Sequence, residues 1–123
     1  MKFSFLSVFI CSLIFVLGCS EPKPEIDSKE LVGDWTLVKA ERDSKETATL
    51  VGLTFQFKQD DFIRLNLPHP NLNSETDYKY EIRDNKLSIL NADLSFDLLE
   101  LTDDQLVMKT ILEENEFTFW LSK

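Results

Sequence analysis

From Leu31 onward, apolar and polar side chains alternate with a period of two along most of the chain. Leu31, Gly33, Trp35 and Leu37 fall on one face of a first strand. Leu53, Phe55 and Phe57 alternate with Thr54, Gln56 and Lys58, and Ile63, Leu65 and Leu67 alternate with Arg64 and Asn66. Tyr78, Tyr80 and Ile82 alternate with Lys79, Glu81 and Arg83, and a tight turn at Asp84-Asn85 leads to Leu87 and Ile89. Phe96 and Leu98 follow, and the doublet Leu98-Leu99 breaks the alternation, which predicts a bulge. Phe117, Phe119 and Leu121 end the pattern. Successive side chains of a strand point to opposite sheet faces, so this period predicts strands with one buried face each.

Two segments carry helix signals. Thr102-Asp103-Asp104-Gln105 matches a capping box, which would start a helix over Leu106–Leu112. That run is short, contains Val107, Thr110 and Ile111, and sits between two acidic, turn-like clusters, so a strand is the preferred reading. Asp27 or Ser28 caps a helical turn over Ser28–Val32. The sum is an all-β domain over residues 31–123: about eight antiparallel strands in an up-and-down meander. Eight strands with one apolar face each bury those faces by closing into a small barrel, which leaves no open edge. A two-sheet sandwich is the alternative.

The first 18 residues belong to a different class of segment. Met1-Lys2 gives a positive start, Phe3–Leu17 carries no charge, and Val16-Leu17-Gly18-Cys19 ends the run. This ending resembles the lipobox of bacterial lipoproteins. The resemblance implies a signal peptide over residues 1–18, removed when Cys19 takes the lipid anchor. The competing reading is an uncleaved membrane anchor, but about 16 helical residues reach only about 24 Å, short of a hydrocarbon core of roughly 30 Å. Residues 19–30, with Pro22 and Pro24 among charges, read as a tether between lipid and domain.

That assignment settles the cysteine chemistry. Cys11 leaves with the signal and Cys19 is acylated, so the mature domain has no thiol to form a disulfide and holds itself by packing. The chain has 13 basic and 22 acidic residues, a net charge of −9, and loss of Lys2 with the signal makes it −10. Such a surface repels nucleic acid. The expected setting is the cell envelope, with the protein anchored to the outer membrane through Cys19.

The segment Leu31-Val32-Gly33-Asp34-Trp35-Thr36-Leu37 resembles the Gly-x-Trp opening of lipocalins and of small lipocalin-like domains in bacterial lipoproteins. Tyr80-Glu81-Ile82, Asn85-Lys86-Leu87, Leu99-Glu100-Leu101-Thr102, Leu106 and Phe117-Thr118-Phe119 are similar to the later pattern of that family. The resemblance implies a lipocalin-like barrel in which Gly33 gives the entering strand room and Trp35 plugs the closed end. The arginine that packs over this tryptophan in the family has no counterpart on the last strand.

Candidate chemistry is sparse. His69, in Pro68-His69-Pro70, is the single histidine, and by composition it is an exposed residue in a stiff loop. A metal site or a serine–histidine pair would have to be built on it alone, so no catalytic residue, metal or cofactor is expected and the domain is not read as an enzyme. Asp60-Asp61, Asp103-Asp104 and Glu113-Glu114 lack the spacing and glycine of a calcium loop and read as solvated hairpin ends. The inward rings of Phe55, Phe57, Tyr78, Tyr80, Phe96, Phe117 and Phe119 either line a pocket or fill it, and short strands with many rings favour a filled barrel with a shallow mouth. Two functions follow. The first is binding of a small apolar molecule lined by Phe55, Phe57, Tyr78, Tyr80 and Phe96. The second is contact with an envelope protein, as a partner or inhibitor, through the outer face around Trp120, which alternates out of phase with Phe119 and Leu121.

Overall fold

The computed structural model describes residues 25–123. The signal over residues 1–18 and the acylation of Cys19 lie outside the described residues. A single turn of helix, α1 (Ser28–Leu31), precedes nine strands: β1 (Gly33–Arg42), β2 (Lys45–Thr47), β3 (Thr54–Lys58), β4 (Phe62–Leu65), β5 (Tyr78–Arg83), β6 (Lys86–Ile89), β7 (Leu94–Leu101), β8 (Gln105–Leu112) and β9 (Asn115–Ser122). All neighbouring strands are antiparallel, and β1 also pairs with β9 from Thr36↔Ser122 to Arg42↔Phe117, which closes the sheet into a barrel. Eight strands form the wall. The ninth, β2, extends the hairpin from the far end of β1, opposite Ala40–Arg42, while β3 pairs with the near end, Gly33–Thr36. Residues 48–53 make an excursion between them that returns through Gly52, whose φ of 99° lies in the left-handed region. Gly52 N–H donates to the Leu37 carbonyl and Leu37 N–H to the Leu53 carbonyl.

α1 forms as its capping signals require. Asp27 is the N-cap, accepting from Lys29 N–H at 3.0 Å, and Glu30 reaches back to Asp27 N–H at 3.3 Å. The turn seals the closed end of the barrel, because Leu31 is fully buried and its carbonyl accepts from the Trp35 indole Nε1 at 2.8 Å. Gly33, between them, has φ 142°, where other residues are strained. No arginine of β9 covers Trp35, but Lys123, just past that strand, brings its Nζ to 5.2 Å from the ring centroid. Upstream of α1, Ile26 N–H donates to Asn85 Oδ1 at 2.7 Å, and Glu25 accepts from Asp84 N–H. Residues 25–31 therefore pack with the barrel, which shortens the tether expected over residues 19–30.

The Thr102 hydroxyl does accept from Gln105 N–H at 3.1 Å, as a cap would, but Thr102 N–H bonds the Gln105 carbonyl in return and the chain enters β8 as a strand. The bulge predicted at Leu98-Leu99 is present, with pairing shifted between Leu98 and Glu100, and a second lies at Val38, between Leu37 and Lys39. Both bulges push two consecutive residues outward and leave Val38 and Leu99 exposed.

The interior is filled by rings. Phe55, Phe57, Tyr80, Phe96 and Phe119 are at most 2% exposed. Phe55 meets Phe96 edge-on at 6.0 Å and Phe119 at 6.3 Å, and Phe57 meets Tyr80 at 5.8 Å, separations typical of favourable aromatic pairs. The core cluster runs from Leu31 to Leu121 inside the closed wall, the mark of a unit that folds on its own.

Three hairpins turn on two residues with positive φ: Asp43-Ser44, Asp84-Asn85 and Glu113-Glu114. This geometry matches strand twist and favours Asn or Gly, yet no glycine serves any of the three. Asp and Asn tolerate the left-handed region, whereas Glu does so only at a cost. Replacing the third pair with Glu113→Asn and Glu114→Gly is expected to stabilise the domain by about 1–2 kcal/mol, read as an increase in the urea midpoint without a change in slope.

Candidate functional site

The two ends of the barrel differ. The closed end is built from α1, the 3-10 turn Gln59–Asp61, the 84–85 and 102–104 turns, and Lys123. The open end is ringed by the 43–44 turn, residues 48–53, the loop 66–77, the 90–93 turn and the 113–114 turn. A hollow of about 350 Å³ sits at this open end. Its apolar floor is Leu50, Leu112 and Phe117, flanked by Pro68 and Pro70. Arg42, His69, Glu113, Thr47 and Thr49 stand around it. A larger hollow of about 590 Å³ lies at the closed end, but Val32 is the one apolar side chain among its walls of Ser28, Lys29, Gln59, Asp60 and Asp61. An apolar floor with a few convergent polar groups is the mark of a ligand site, so the smaller hollow is the better candidate.

Arg42 reaches the mouth because of the Val38 bulge. Trp35 and Leu37 face inward, Val38 and Lys39 both face out, and the inward phase resumes at Ala40 and Arg42. Arg42 is paired across the closure with Phe117, on the side of the sheet that faces the interior. Its guanidinium makes no ion pair or hydrogen bond among the described residues. At the rim this inward register opens to solvent, and Arg42 is exposed there.

His69 is held by the 66–77 loop. Asn71 N–H donates to His69 Nδ1 at 3.1 Å, and the His69 carbonyl accepts from Leu72 N–H at 3.1 Å. With Nδ1 accepting, the neutral imidazole carries its proton on Nε2, which leaves one donor to spare. The loop is fixed at three points. Asn71 Nδ2 donates to the Ala92 carbonyl at 3.2 Å, the Tyr78 hydroxyl accepts from Asn73 N–H at 2.8 Å, and Asp77 accepts from Arg64 Nε at 2.8 Å. Lys58 Nζ joins the last contact at 3.0 Å. The Lys58 hydrogen bond, with Arg64, outweighs an opposing desolvation and holds the Asp77 carboxyl below its ordinary value of 3.8.

The residues expected to line a ligand lie elsewhere. Phe55, Phe57, Tyr80 and Phe96 are in the packed interior, and Tyr78 is half-buried as a brace for the loop. None of the five lines the mouth, whereas Phe117 does. Tyr80 points to the closed end: its buried hydroxyl closes no hydrogen bond. Burial and then the Asp61 carboxylate push this phenol up to about 12, with the Ser28 hydroxyl opposing. His69, expected to be exposed, is half-buried at the rim. Trp120 does face outward, but it is half-buried rather than exposed, with Lys39 Nζ 4.7 Å from its ring and Val107 opposite it on β8. No group of three metal-ligating side chains occurs among the described residues. No family model matches the chain, and comparison with curated proteins and with solved structures returned no significant match.

The Asp77 contacts give the loop a pH dependence. A carboxylate with a lowered folded-state pKa stabilises above its unfolded value of 3.8, and that stabilisation is lost as pH falls through the lowered value. Asp77→Asn is therefore expected to speed exchange of the Asn73 amide at pH 7. The gap from the parent should shrink below pH 3.8 and close in stronger acid, measured by hydrogen exchange.

Proposed function

We propose that this chain is a lipid-anchored envelope protein whose lipocalin-like barrel binds a small, largely apolar molecule at its mouth. The observation that carries this reading is the apolar hollow over Leu50, Leu112 and Phe117, set above an interior already filled by its own rings. Its volume is at the low end of the usual ligand-pocket range of roughly 300–1,000 Å³, so the ligand is small and part of it stays in water. The closed eight-stranded antiparallel barrel, with Gly33 and Trp35 at its sealed end, supports the resemblance to lipocalin-like lipoproteins.

A second reading, protein contact through the outer wall, is favoured by one observation. The two bulges expose Val38 (51%) and Leu99 (41%) on either side of the β8–β9 pair, whose outer face carries Val107 and Trp120.

Residues 25–123 are expected to enhance the fluorescence of N-phenyl-1-naphthylamine, an uncharged apolar probe, with saturation. Leu50→Gln on the floor should weaken it roughly fivefold or more, while Phe62→Ala on the outer wall should leave it unchanged. Absence of saturable enhancement in the parent overturns the reading. The anchor is tested separately: Cys19→Ser in the full chain should release the protein from the membrane fraction or leave the precursor uncleaved, as seen by fractionation and mass spectrometry. Mature, membrane-bound protein would refute acylation at Cys19.

A further inference from the structure

The polar groups at the mouth define the head of the ligand, an inference that rests on the mouth-binding reading and deepens it. Arg42 is a full positive charge in an inward register, without an ionic partner among the described residues, in a chain whose net charge is −9. His69 lines the same hollow, and because its Nδ1 accepts from Asn71 N–H, Nε2 is the nitrogen left to donate. Neither group can accept a hydrogen bond in this state, so both are suited to an acceptor. Below them, Leu50, Leu112 and Phe117 offer surface to a hydrocarbon.

We propose that the mouth binds a monoanionic amphiphile: a carboxylate held by the Arg42 guanidinium and the His69 Nε2–H, with its short aliphatic tail laid on the apolar floor. A planar guanidinium fork fits a carboxylate with two parallel hydrogen bonds. The charge count sets the limit on the head. One arginine balances one negative charge, and Glu113 on the same rim repels a second. A phosphate monoester head, which carries nearly two charges near neutral pH, is the poorer fit.

The test is calorimetric titration of residues 25–123 with decanoate, decanol and decyl phosphate at low salt. Decanoate is expected to bind more tightly than either of the others. Arg42→Gln should weaken decanoate roughly tenfold and Arg42→Lys less, while decanol binds all three forms alike. The ¹⁵N resonance of His69 Nε2 should move with decanoate and stay in place with decanol. Decanol bound as tightly as decanoate, or decanoate indifferent to Arg42→Gln, overturns the anionic-head proposal and leaves mouth binding standing. Decyl phosphate bound more tightly than decanoate overturns the single-charge assignment. If none of the three binds, the mouth-binding reading falls as well.

Discussion

Everything in this domain depends on β1 meeting β9. That pairing turns a meander into a closed wall, and it brings Phe119, opposite Ala40, into contact with Phe55 and Phe96. No disulfide links the described residues, which contain no cysteine. Ring-on-ring packing and burial take the place that bridges occupy in many small exported domains. A closed wall also leaves β2, short and mostly polar, as the edge of a sheet rich in Phe, Leu and Ile. The weakest stretch of wall is between β4 and β5, where pairing is limited to Phe62↔Lys79 and Ile63↔Tyr78. There the 66–77 loop, fastened by Asp77 to Arg64 and Lys58, bridges the two strands.

The filled interior moves chemistry to the ends. At the sealed end Asp27 and Glu30 cap α1, Trp35 donates to Leu31 and Lys123 covers Trp35, while the buried Tyr80 hydroxyl closes no hydrogen bond. The open end leaves Arg42 and the His69 Nε2–H uncommitted over an apolar floor. An apolar floor beneath spare donors is the feature of the open pole on which the functional reading is built.

Much of this architecture was legible in the residues, because period-two alternation is a local property. The strands around Phe55, Ile63, Tyr80, Phe119 and Val107, the α1 cap and the Leu98-Leu99 bulge all follow from neighbours in sequence. β2 was not legible, since Lys45-Glu46-Thr47 is three residues long and mostly polar, and it pairs only because it follows a two-residue turn. The site was hidden for a different reason. Alternation counted from Trp35 places Lys39 and Glu41 inside, and the Val38 bulge reverses that phase and delivers Arg42 to the mouth instead. His69 reaches the rim through a fold of the 66–77 loop tied to Ala92, a contact spanning 21 residues that no local pattern encodes. Whether inward rings line a space or occupy it is a question of volume, and alternation carries no information about volume.

The short ties at Glu25 and Ile26 have a mechanical consequence. Both residues are fastened to the 84–85 turn, so a pull arriving from the upstream chain is shared first with the β5–β6 hairpin. α1 and the Leu31–Trp35 plug share that load with these ties. The hairpin acts as a strain relief, and the mouth, at the opposite pole, is spared the distortion while the bottom bears the force.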